Sequence, residues 1–537
     1  MQSIIKTIVV LATLGCCCWS CSKEMIPEEP YGPGKEPLGI TVNRNQAPTP
    51  ASGLPGTEVT IKASGLLPFR EELVFRFNGE IAEITEVTET EIKLIVPDFA
   101  STGVTTVSIG DVVVFGPNFS VTGKINVDPT FNAARGTDGS VEQVIWTEDG
   151  RMLLVGNFTD YDNKGVIRRI NRIARTFSDG TYDASLRSGL GANGALNDIV
   201  PFNNGYLIGG AFSGYSQRST DISNLTKLNG NGTIDTMGIR PFRRPDQSDT
   251  IKYYPSFNGG FDGHVGRVYP QGNKVVVGGG FRYYISRQYD KPNRLETRDS
   301  VIMDSVEVRH LARLHADGTL DSTFRFDEAA DRFRPGGNGD VYTIVHDGGT
   351  HNGKFMVYGS FNQFDGVPAG RILRLNTDGS VDGTFNPGGS GADQSIAKLF
   401  YNATTRKYII AGNFRQYNGK PANRVAVLNE DGTLDESFVA KTFDGSGPNF
   451  AKQLSDGKII VSGDFRTYNG VARNGFMVLD ESGNLIPGYN ATGIFDGTIE
   501  NIVETTGQDG RRALLIYGEF SQFNSKDAYN YIRVIIE

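Results

Sequence analysis

The chain has 537 residues, a formal net charge of −8 and a pI of about 5.4, with 38% hydrophobic and 10% aromatic residues. This acidic balance disfavours nucleic acid and anionic lipid surfaces as main partners, because both are bound by basic patches. The length predicts two or more domains, and the apolar content is sufficient to bury a core.

The cysteines are confined to the N-terminus, at Cys16, Cys17, Cys18 and Cys21. The remaining residues can therefore form neither a disulfide nor a Cys-ligated metal site. An apolar run from residue 7 to residue 14 follows Lys6 and is too short to span a bilayer as a helix. We interpret residues 1–20 as a signal peptide.

The end of this peptide, Ser20-Cys21-Ser22-Lys23, resembles the cleavage site of bacterial lipoproteins. The resemblance implies that Cys21 is the lipidated first mature residue; Cys16 is an alternative, and so is a plain secretory peptide. The following Lys23-Glu24 looks like the surface-export signal of Bacteroidota lipoproteins. We therefore expect an outer-membrane protein, lipid-anchored and facing the cell surface, with residues 21–38 as a Pro/Glu-rich tether.

Residues 39–122 alternate between apolar and polar positions, as at Val59, Ile61 and Ala63, and turn residues interrupt the pattern regularly. Short alternating strands of this kind predict an antiparallel β-sandwich, and Asn78-Gly79 predicts a tight hairpin. The stretch from Gly56 to Pro97 resembles the IPT/TIG immunoglobulin-like family. That resemblance implies a spacer or a partner-contact module.

From residue 123 to residue 537 the phrase Gly-x-Phe closes a short apolar run seven times. A repeat unit of about 50 residues, holding four short apolar runs and no helical period, predicts one blade of a β-propeller. The chain is thus predicted to be all-β, with a seven-bladed propeller after the sandwich. The glycines are Gly156, Gly210, Gly279, Gly359, Gly412, Gly463 and Gly518.

Several repeats also contain Asp-Gly-x-x-Asp-x-x-Phe, as at residues 317–324 and 431–438. Together with Gly-x-Phe, this phrase resembles the delta-60 repeat propellers, a family without one established function. The combination with a lipoprotein tether and an IPT/TIG-like domain resembles Bacteroidota surface lipoproteins, many of which bind polysaccharide or assist uptake systems.

The two ends of the repeat region are complementary. The seventh repeat stops after a third strand at residues 531–536, whereas residues 125–131 form a fourth strand without a repeat of its own. We predict that 125–131 completes the last blade, which would remove an exposed sheet edge.

Repeats two and three are predicted to lack the short aromatic turn that follows Gly-x-Phe elsewhere, and they carry insertions at 236–262 and 282–309. Strand parity predicts that both insertions project from one face. Long loops on rigid scaffolds usually carry function, and tyrosine and arginine suit glycans and their anionic groups. The candidate ligand-binding residues are Tyr253, Tyr254, Tyr283, Tyr284, Tyr289, Arg243, Arg244, Arg282 and Arg287.

Catalytic and metal sites are not predicted. The Asp-Gly-x-x-Asp phrase lacks the ligands of a calcium loop and is interpreted as a turn. His346 and His351 give only a weak metal signal, and acidic residues near the insertions, such as Asp262, Asp290 and Asp340, have no defined pairing.

We therefore expect a non-enzymatic protein without cofactor or metal that binds a polysaccharide or oligosaccharide on the face carrying the insertions. The first alternative is a protein–protein module that docks on an outer-membrane transporter or another surface protein. The second alternative is a propeller glycosidase or lyase.

Overall fold

The structure, a computed structural model, describes residues 38–167, 169–219, 221–241, 250–291, 301–346 and 349–537. The signal peptide, Cys16, Cys21 and the tether up to residue 37 lie outside these ranges, as do Arg243 and Arg244. Within them the chain is all-β, apart from one-turn 3₁₀ helices at Leu67–Phe69 and Gly349–His351.

The first nine strands form two sheets that pack face to face. They are β1 (Thr41–Val42), β2 (Ser52–Gly53), β3 (Glu58–Ser64), β4 (Val74–Phe77), β5 (Glu80–Ile81), β6 (Glu83–Val87), β7 (Glu91–Ile95), β8 (Gly103–Ile109) and β9 (Val112–Val121). The sheet orders are β1-β3-β7-β6 and β2-β9-β8-β4-β5. Val59, Ile61 and Ala63 point into the shared core, as their alternation predicts, and Asn78-Gly79 forms the β4–β5 hairpin with both φ angles positive.

The propeller begins with β10, and its first three blades carry the insertions. The strands are β10 (Ile125–Val127), β11 (Val141–Trp146), β12 (Met152–Gly156), β13 (Ile173–Thr176), β14 (Ala195–Phe202), β15 (Gly205–Ala211), β16 (Leu225–Asn229), β17 (Thr236–Ile239), β18 (Lys252–Pro255), β19 (Gly260–Phe261), β20 (Val265–Gln271), β21 (Lys274–Gly279), β22 (Tyr283–Gln288), β23 (Ile302–Glu307) and β24 (Leu311–His315).

The remaining strands belong to blades four to seven and to small hairpins within or before these blades. They are β25 (Phe326–Asp327), β26 (Arg332–Phe333), β27 (Val341–Val345), β28 (Phe355–Gly359), β29 (Gln363–Phe364), β30 (Val367–Pro368), β31 (Ile372–Leu375), β32 (Ile396–Asn402), β33 (Lys407–Gly412), β34 (Gln416–Tyr417), β35 (Lys420–Pro421), β36 (Val425–Asn429), β37 (Phe443–Gln453), β38 (Ile459–Tyr468), β39 (Val471–Ala472), β40 (Phe476–Leu479), β41 (Asp496–Thr506), β42 (Arg512–Phe523), β43 (Lys526–Asp527) and β44 (Tyr531–Ile536).

Seven antiparallel blades result, and their innermost strands are β11, β14, β20, β27, β32, β37 and β41. Apolar clusters lie between neighbouring blades all round the ring, so each blade buries both faces on its neighbours. β10 pairs antiparallel with β44, with Ile125 opposite Ile536, and this confirms that the chain closes its own ring.

The glycine of Gly-x-Phe is explained by a close approach of two backbones. At Gly156 a Cβ would lie 2.0 Å from the carbonyl oxygen of Ser140, and at Gly359 it would lie 2.0 Å from that of Asp340. The same contact, at 2.1 to 2.5 Å, occurs in the other five described repeats. Any side chain at this position would therefore displace the inner strand.

The fourth strand of most blades is shorter than the sequence predicts. In blades one to six the outer segment meets its neighbour at single bridges, such as Leu428 with Leu434. The chain turns away because the following Asp435 carboxylate accepts a hydrogen bond from the backbone N–H of Ser437, at 3.0 Å.

The inner strands carry a β-bulge at one equivalent position in every blade except the fourth. A bulge leaves one residue out of the ladder and redirects its side chain. The bulged residues are Glu142, Asn197, Gly266, Ala397, Asn449 and Glu500.

Candidate binding surface

The two insertions fold as β-hairpins. Hairpin 1 pairs β17 with β18, and hairpin 2 pairs β22 with β23. Hairpin 2 also joins β19, so that a three-stranded sheet rises from blade three. We call the side of the propeller that carries them the hairpin face.

The hairpins contact one another, which confirms that both insertions leave the same face. The rings of Tyr254 and Tyr289 stack with centroids 3.7 Å apart and planes inclined by 18°. Nearby, the Asn258 side-chain amide donates to the carbonyl of Arg287 at 2.6 Å and its oxygen accepts from the Arg287 backbone N–H at 3.1 Å. Tyr289 is 6% exposed, so this tyrosine pair builds the contact between the hairpins and leaves little ring surface for a ligand.

Tyr284 lies in the core of blade three and is 4% exposed. Its hydroxyl donates to the carbonyl of Gly318 at 2.9 Å, and burial raises the pKa of the phenol to about 12. The same bond joins Tyr215 to Gly232 in blade two and Tyr417 to Gly432 in blade five.

This bond corrects the prediction that repeats two and three lack the aromatic turn. Both keep an aromatic residue three positions after the phenylalanine of Gly-x-Phe, and only the Asn/Asp-Gly that follows is lost. The spacing Phe-x-x-Tyr was present in the sequence and identifies Tyr284 as a blade residue. Its position leaves it no free face or hydroxyl for a glycan.

Tyr253 and Tyr283 are predicted tyrosines that solvent reaches and that take no part in the Tyr254–Tyr289 stack. Tyr253 is 64% exposed and, because neighbours on a strand alternate, it points away from the side of hairpin 1 that holds Tyr254. Tyr283 is half-buried, with the Arg282 guanidinium 5.2 Å from its ring centroid. The two rings therefore belong to different hairpins.

Arg282 shares a carboxylate with a second arginine. Its Nε donates to Glu307 Oε1 at 3.0 Å, and Arg309 Nε donates to the same oxygen at 2.8 Å. These bonds, first that of Arg309 and then that of Arg282, lower the pKa of Glu307. The Asp262 carboxylate also interacts with Arg282 and accepts the Tyr283 backbone N–H, so two carboxylates balance the two guanidinium groups beside Tyr283.

Large aliphatic side chains are also exposed on the hairpins, and the sequence reading missed them. Met237 and Ile251 lie on or beside hairpin 1, and Met303 and Val306 lie on hairpin 2. Exposed methionine and branched aliphatic side chains next to tyrosine are typical of surfaces that contact other proteins.

A cavity of about 370 Å³ lies in the central channel. Five of the six bulged residues line it, together with His264, Arg267, Tyr342, Tyr358 and Lys398. Each inner strand begins where the connection from the preceding blade arrives, and hairpin 1 belongs to such a connection. The lining residues stand at the beginnings of these strands, so the cavity occupies the hairpin-face end of the channel.

Asp262 and Asp340, two of the acidic residues named from the sequence, serve as hydrogen-bond acceptors. Asp262 accepts the backbone N–H groups of Arg282 and Tyr283, at 2.9 and 2.8 Å, and Asp340 accepts the hydroxyl of Ser360 at 3.0 Å. Asp317 of an Asp-Gly phrase likewise accepts from the Thr319 backbone and hydroxyl, which confirms its role in a turn.

Two further observations concern the described residues alone. They contain no group of three or more His, Cys, Asp or Glu side chains arranged to hold a metal ion. They also include no helix whose length and hydropathy would allow it to cross a membrane.

Comparison with known proteins gives two family matches. Residues 14–117 match a domain of unknown function (DUF5008). The segments that match a domain of unknown function described as a β-propeller (DUF5122) are 147–186, 299–324, 351–385, 405–438 and 454–485. No curated protein matches the chain.

Similar solved structures include the WD40 β-propeller domain of Doa1, at 13% identity and a TM-score of 0.40, covering 77% of this chain and 97% of that one. Another is an auxiliary nutrient binding protein from Bacteroides thetaiotaomicron, at 12% identity and a TM-score of 0.21, covering 73% and 97%. A protein of the same description from Bacteroides ovatus has 12% identity and a TM-score of 0.19, covering 75% and 98%.

Proposed function

We propose that this chain is a non-catalytic binding protein of the cell surface and that its hairpin face binds a polysaccharide or oligosaccharide. The observation that carries the proposal is the exposed Tyr253 ring, together with Tyr283 backed by Arg282, on hairpins that the Tyr254–Tyr289 stack holds in place. A tyrosine ring offers an apolar face for sugar C–H groups, and arginine offers donors for hydroxyl oxygens.

The cellular location of the protein and the limits of its domains are part of the same proposal. Lipid attachment at Cys21, after a signal peptide at 1–20 and before a tether at 21–38, would place the protein on the outer membrane. The sandwich at 39–122 then serves as a spacer beneath the propeller at 123–537. The membrane is reached through the lipid anchor alone.

The test is retardation of the full chain in native gels that contain single polysaccharides, with a double variant Tyr253→Ala, Tyr283→Ala. We expect one glycan to retard the chain and the double variant to bind it about tenfold more weakly or worse, because exposed aromatic anchors dominate binding energy. Trp146→Ala, an exposed aromatic at the opposite end of blade one, is the matched control. Equal retardation of wild type and double variant would rule out these tyrosines as the site.

A protein partner is the second candidate, and the exposed aliphatic residues favour it. A partner with an apolar patch would cover Met237, Met303 and Val306, whereas a glycan gains little from methionine. We expect Met237→Ser with Met303→Ser to abolish stoichiometric co-purification with one outer-membrane protein. The same variant should leave glycan retardation unchanged; loss of retardation instead would contradict a protein partner.

Glycoside cleavage gains no support from Asp262 and Asp340. Both carboxylates are occupied by turn or hydroxyl donors, whereas cleavage requires a pair of carboxylates facing the bond.

A further inference from the structure

The cavity at the hairpin-face end of the channel contains four carboxylate, ammonium or guanidinium side chains, one from each of four blades. Glu142 comes from blade one, Arg267 from blade three, Lys398 from blade five and Glu500 from blade seven. Solvent reaches them, because the side chains of Lys398 and Glu500 are 22% and 20% exposed. A small ligand entering from the hairpin face would therefore meet charged groups contributed by several blades.

Both cations are already paired with one carboxylate. Arg267 donates to Glu500 Oε1 at 2.7 Å, and Lys398 donates to Glu500 Oε2 at 2.5 Å. Arg267 also donates to the carbonyl of Asn197 at 2.7 Å. An anionic ligand would have to compete with Glu500 for these two cations.

Glu142 is in the opposite situation. Among the described residues its hydrogen-bond donor is the hydroxyl of Ser140, at 2.7 Å, and no basic side chain forms an ion pair with it. Burial, and then the nearby Glu500 charge, raise the pKa of Glu142, while the Ser140 hydrogen bond and the Arg267 and Lys398 charges oppose this rise. A half-buried carboxylate with a neutral partner gains most from a cationic donor brought by a ligand.

The wall of the cavity also offers an aromatic surface. Tyr342 takes the place of the bulged residue in blade four, where the inner strand pairs regularly, and its side chain is 49% exposed. Its ring lies against Tyr358, with centroids 5.7 Å apart. A ring with one open face beside polar groups suits a ligand that is apolar on one side and hydroxylated at its rim.

We propose that this cavity binds one sugar unit bearing a free amine, with the ammonium on Glu142 and the sugar ring against Tyr342; the inference rests on the proposed glycan binding. The volume lies at the lower end of small-ligand sites, which suits a single unit at the end of a chain rather than a polymer passing through. The rest of the glycan would extend over the hairpin face.

The experiment compares the tetramer of glucosamine, its fully N-acetylated form and tetragalacturonate by calorimetric titration of the full chain in detergent. The first two probes differ only in whether their amines are acetylated. We expect the glucosamine tetramer to bind about tenfold more tightly than the acetylated tetramer, as one charge-assisted hydrogen bond provides, and the galacturonate to bind worst. Glu142→Gln should remove the preference for the amine, and Tyr342→Ala should weaken both glucosamine-based probes.

Glu519→Gln, an exposed carboxylate on the same face outside this cavity, is the control and should keep the preference. Equal binding of the two glucosamine-based probes, tighter binding of the galacturonate, a preference that survives Glu142→Gln, or no binding of any probe would overturn the inference. If Glu142→Gln changes nothing while Tyr253→Ala with Tyr283→Ala abolishes binding, the hairpin-face proposal stands and the cavity is not its subsite.

Discussion

Single residues explain why the Asp-Gly-x-x-Asp-x-x-Phe phrase recurs. A basic side chain from the third strand donates to the second aspartate of the phrase. In blade four Arg374 Nε donates to Asp382 at 2.7 Å, and the same guanidinium lies 5.2 Å from the ring centroid of Phe385. The turn could be predicted from Asp and Gly alone. The ion pair could be found only by extending the phrase backwards, since a base stands eight positions before this aspartate in several repeats, as at Arg175, Arg313 and Arg374.

One buried histidine makes stability depend on pH. His346 is 2% exposed, and its Nε2 lies 2.5 Å from the Tyr408 hydroxyl. Burial, with the neighbouring His351 and Arg374 charges, lowers the pKa of His346 from 6.5 to about 4. As pH falls, the unfolded chain therefore takes up this proton first, and the histidine's contribution to stability is lost between pH 6.5 and about pH 4.

Across that window this histidine should lower the unfolding free energy of the wild type by up to about 3 kcal/mol, since each pKa unit corresponds to 1.36 kcal/mol. We expect His346→Gln to lack this part of the decline. The measurement is urea unfolding at several pH values. Tyr408→Phe is the control, because it removes the hydroxyl partner and keeps the titrating imidazole. An unchanged pH slope in His346→Gln would contradict the prediction.

At the scale of elements, most strands could be predicted from the sequence, whereas the strands with which they pair were harder to predict. Tyr531–Ile536 appears with the predicted bounds, because an apolar run after turn residues marks it clearly. The shortening of the outer strands was not predictable, since it follows from an aspartate bonding to the backbone beyond it. The predicted tyrosines do not lie together in one patch, because side chains on one hairpin alternate between its two sides.

The strand that closes the ring gives a prediction of its own. Arg533 on β44 donates to Asp128 after β10 at 2.6 Å, with both side chains almost fully buried. We expect Arg533→Met to lower the unfolding free energy by about 3–5 kcal/mol, because a buried carboxylate loses its partner. The amide hydrogens of β10 and β44 should also exchange faster with solvent in this variant.

Arg374→Met is the matched control, because the Arg374–Asp382 pair has the same geometry but both partners lie in blade four. It should destabilise the chain to a similar degree and leave β10 protected. Protection of β10 in Arg533→Met would show that this ion pair does not hold the closing strand.

At the scale of the whole molecule, the sandwich and the propeller are joined by specific contacts. Arg473, buried in blade six, donates to the carbonyl of Phe99 at 3.0 and 3.1 Å, and Thr102 donates its backbone N–H to Ala491 at 2.9 Å. The two folds could each be predicted from periodicity. The contact between them could not be predicted, because it joins single residues that are far apart in the sequence. The sequence shows no pattern at those positions.

We expect Arg473→Met to uncouple the two domains, because the Phe99 carbonyl loses two charge-assisted hydrogen bonds. Calorimetry should then show separate melting transitions where the wild type shows one. Arg424→Met, which removes an equivalent loop contact to Ser446 inside the propeller, should leave the transitions coupled. Two transitions already present in the wild type would contradict this coupling.

The pairing of β10 with β44 also sets an order of events during synthesis. Asp128 and Arg533 are 405 residues apart, so the strand that seals the ring emerges long before its partner exists. Six blades can assemble one upon another while the chain lengthens, but the seventh must wait for β44, Tyr531–Ile536. A chain interrupted before β44 would leave the ring with an open seam, so closure of the ring depends on synthesis of residues 531–536.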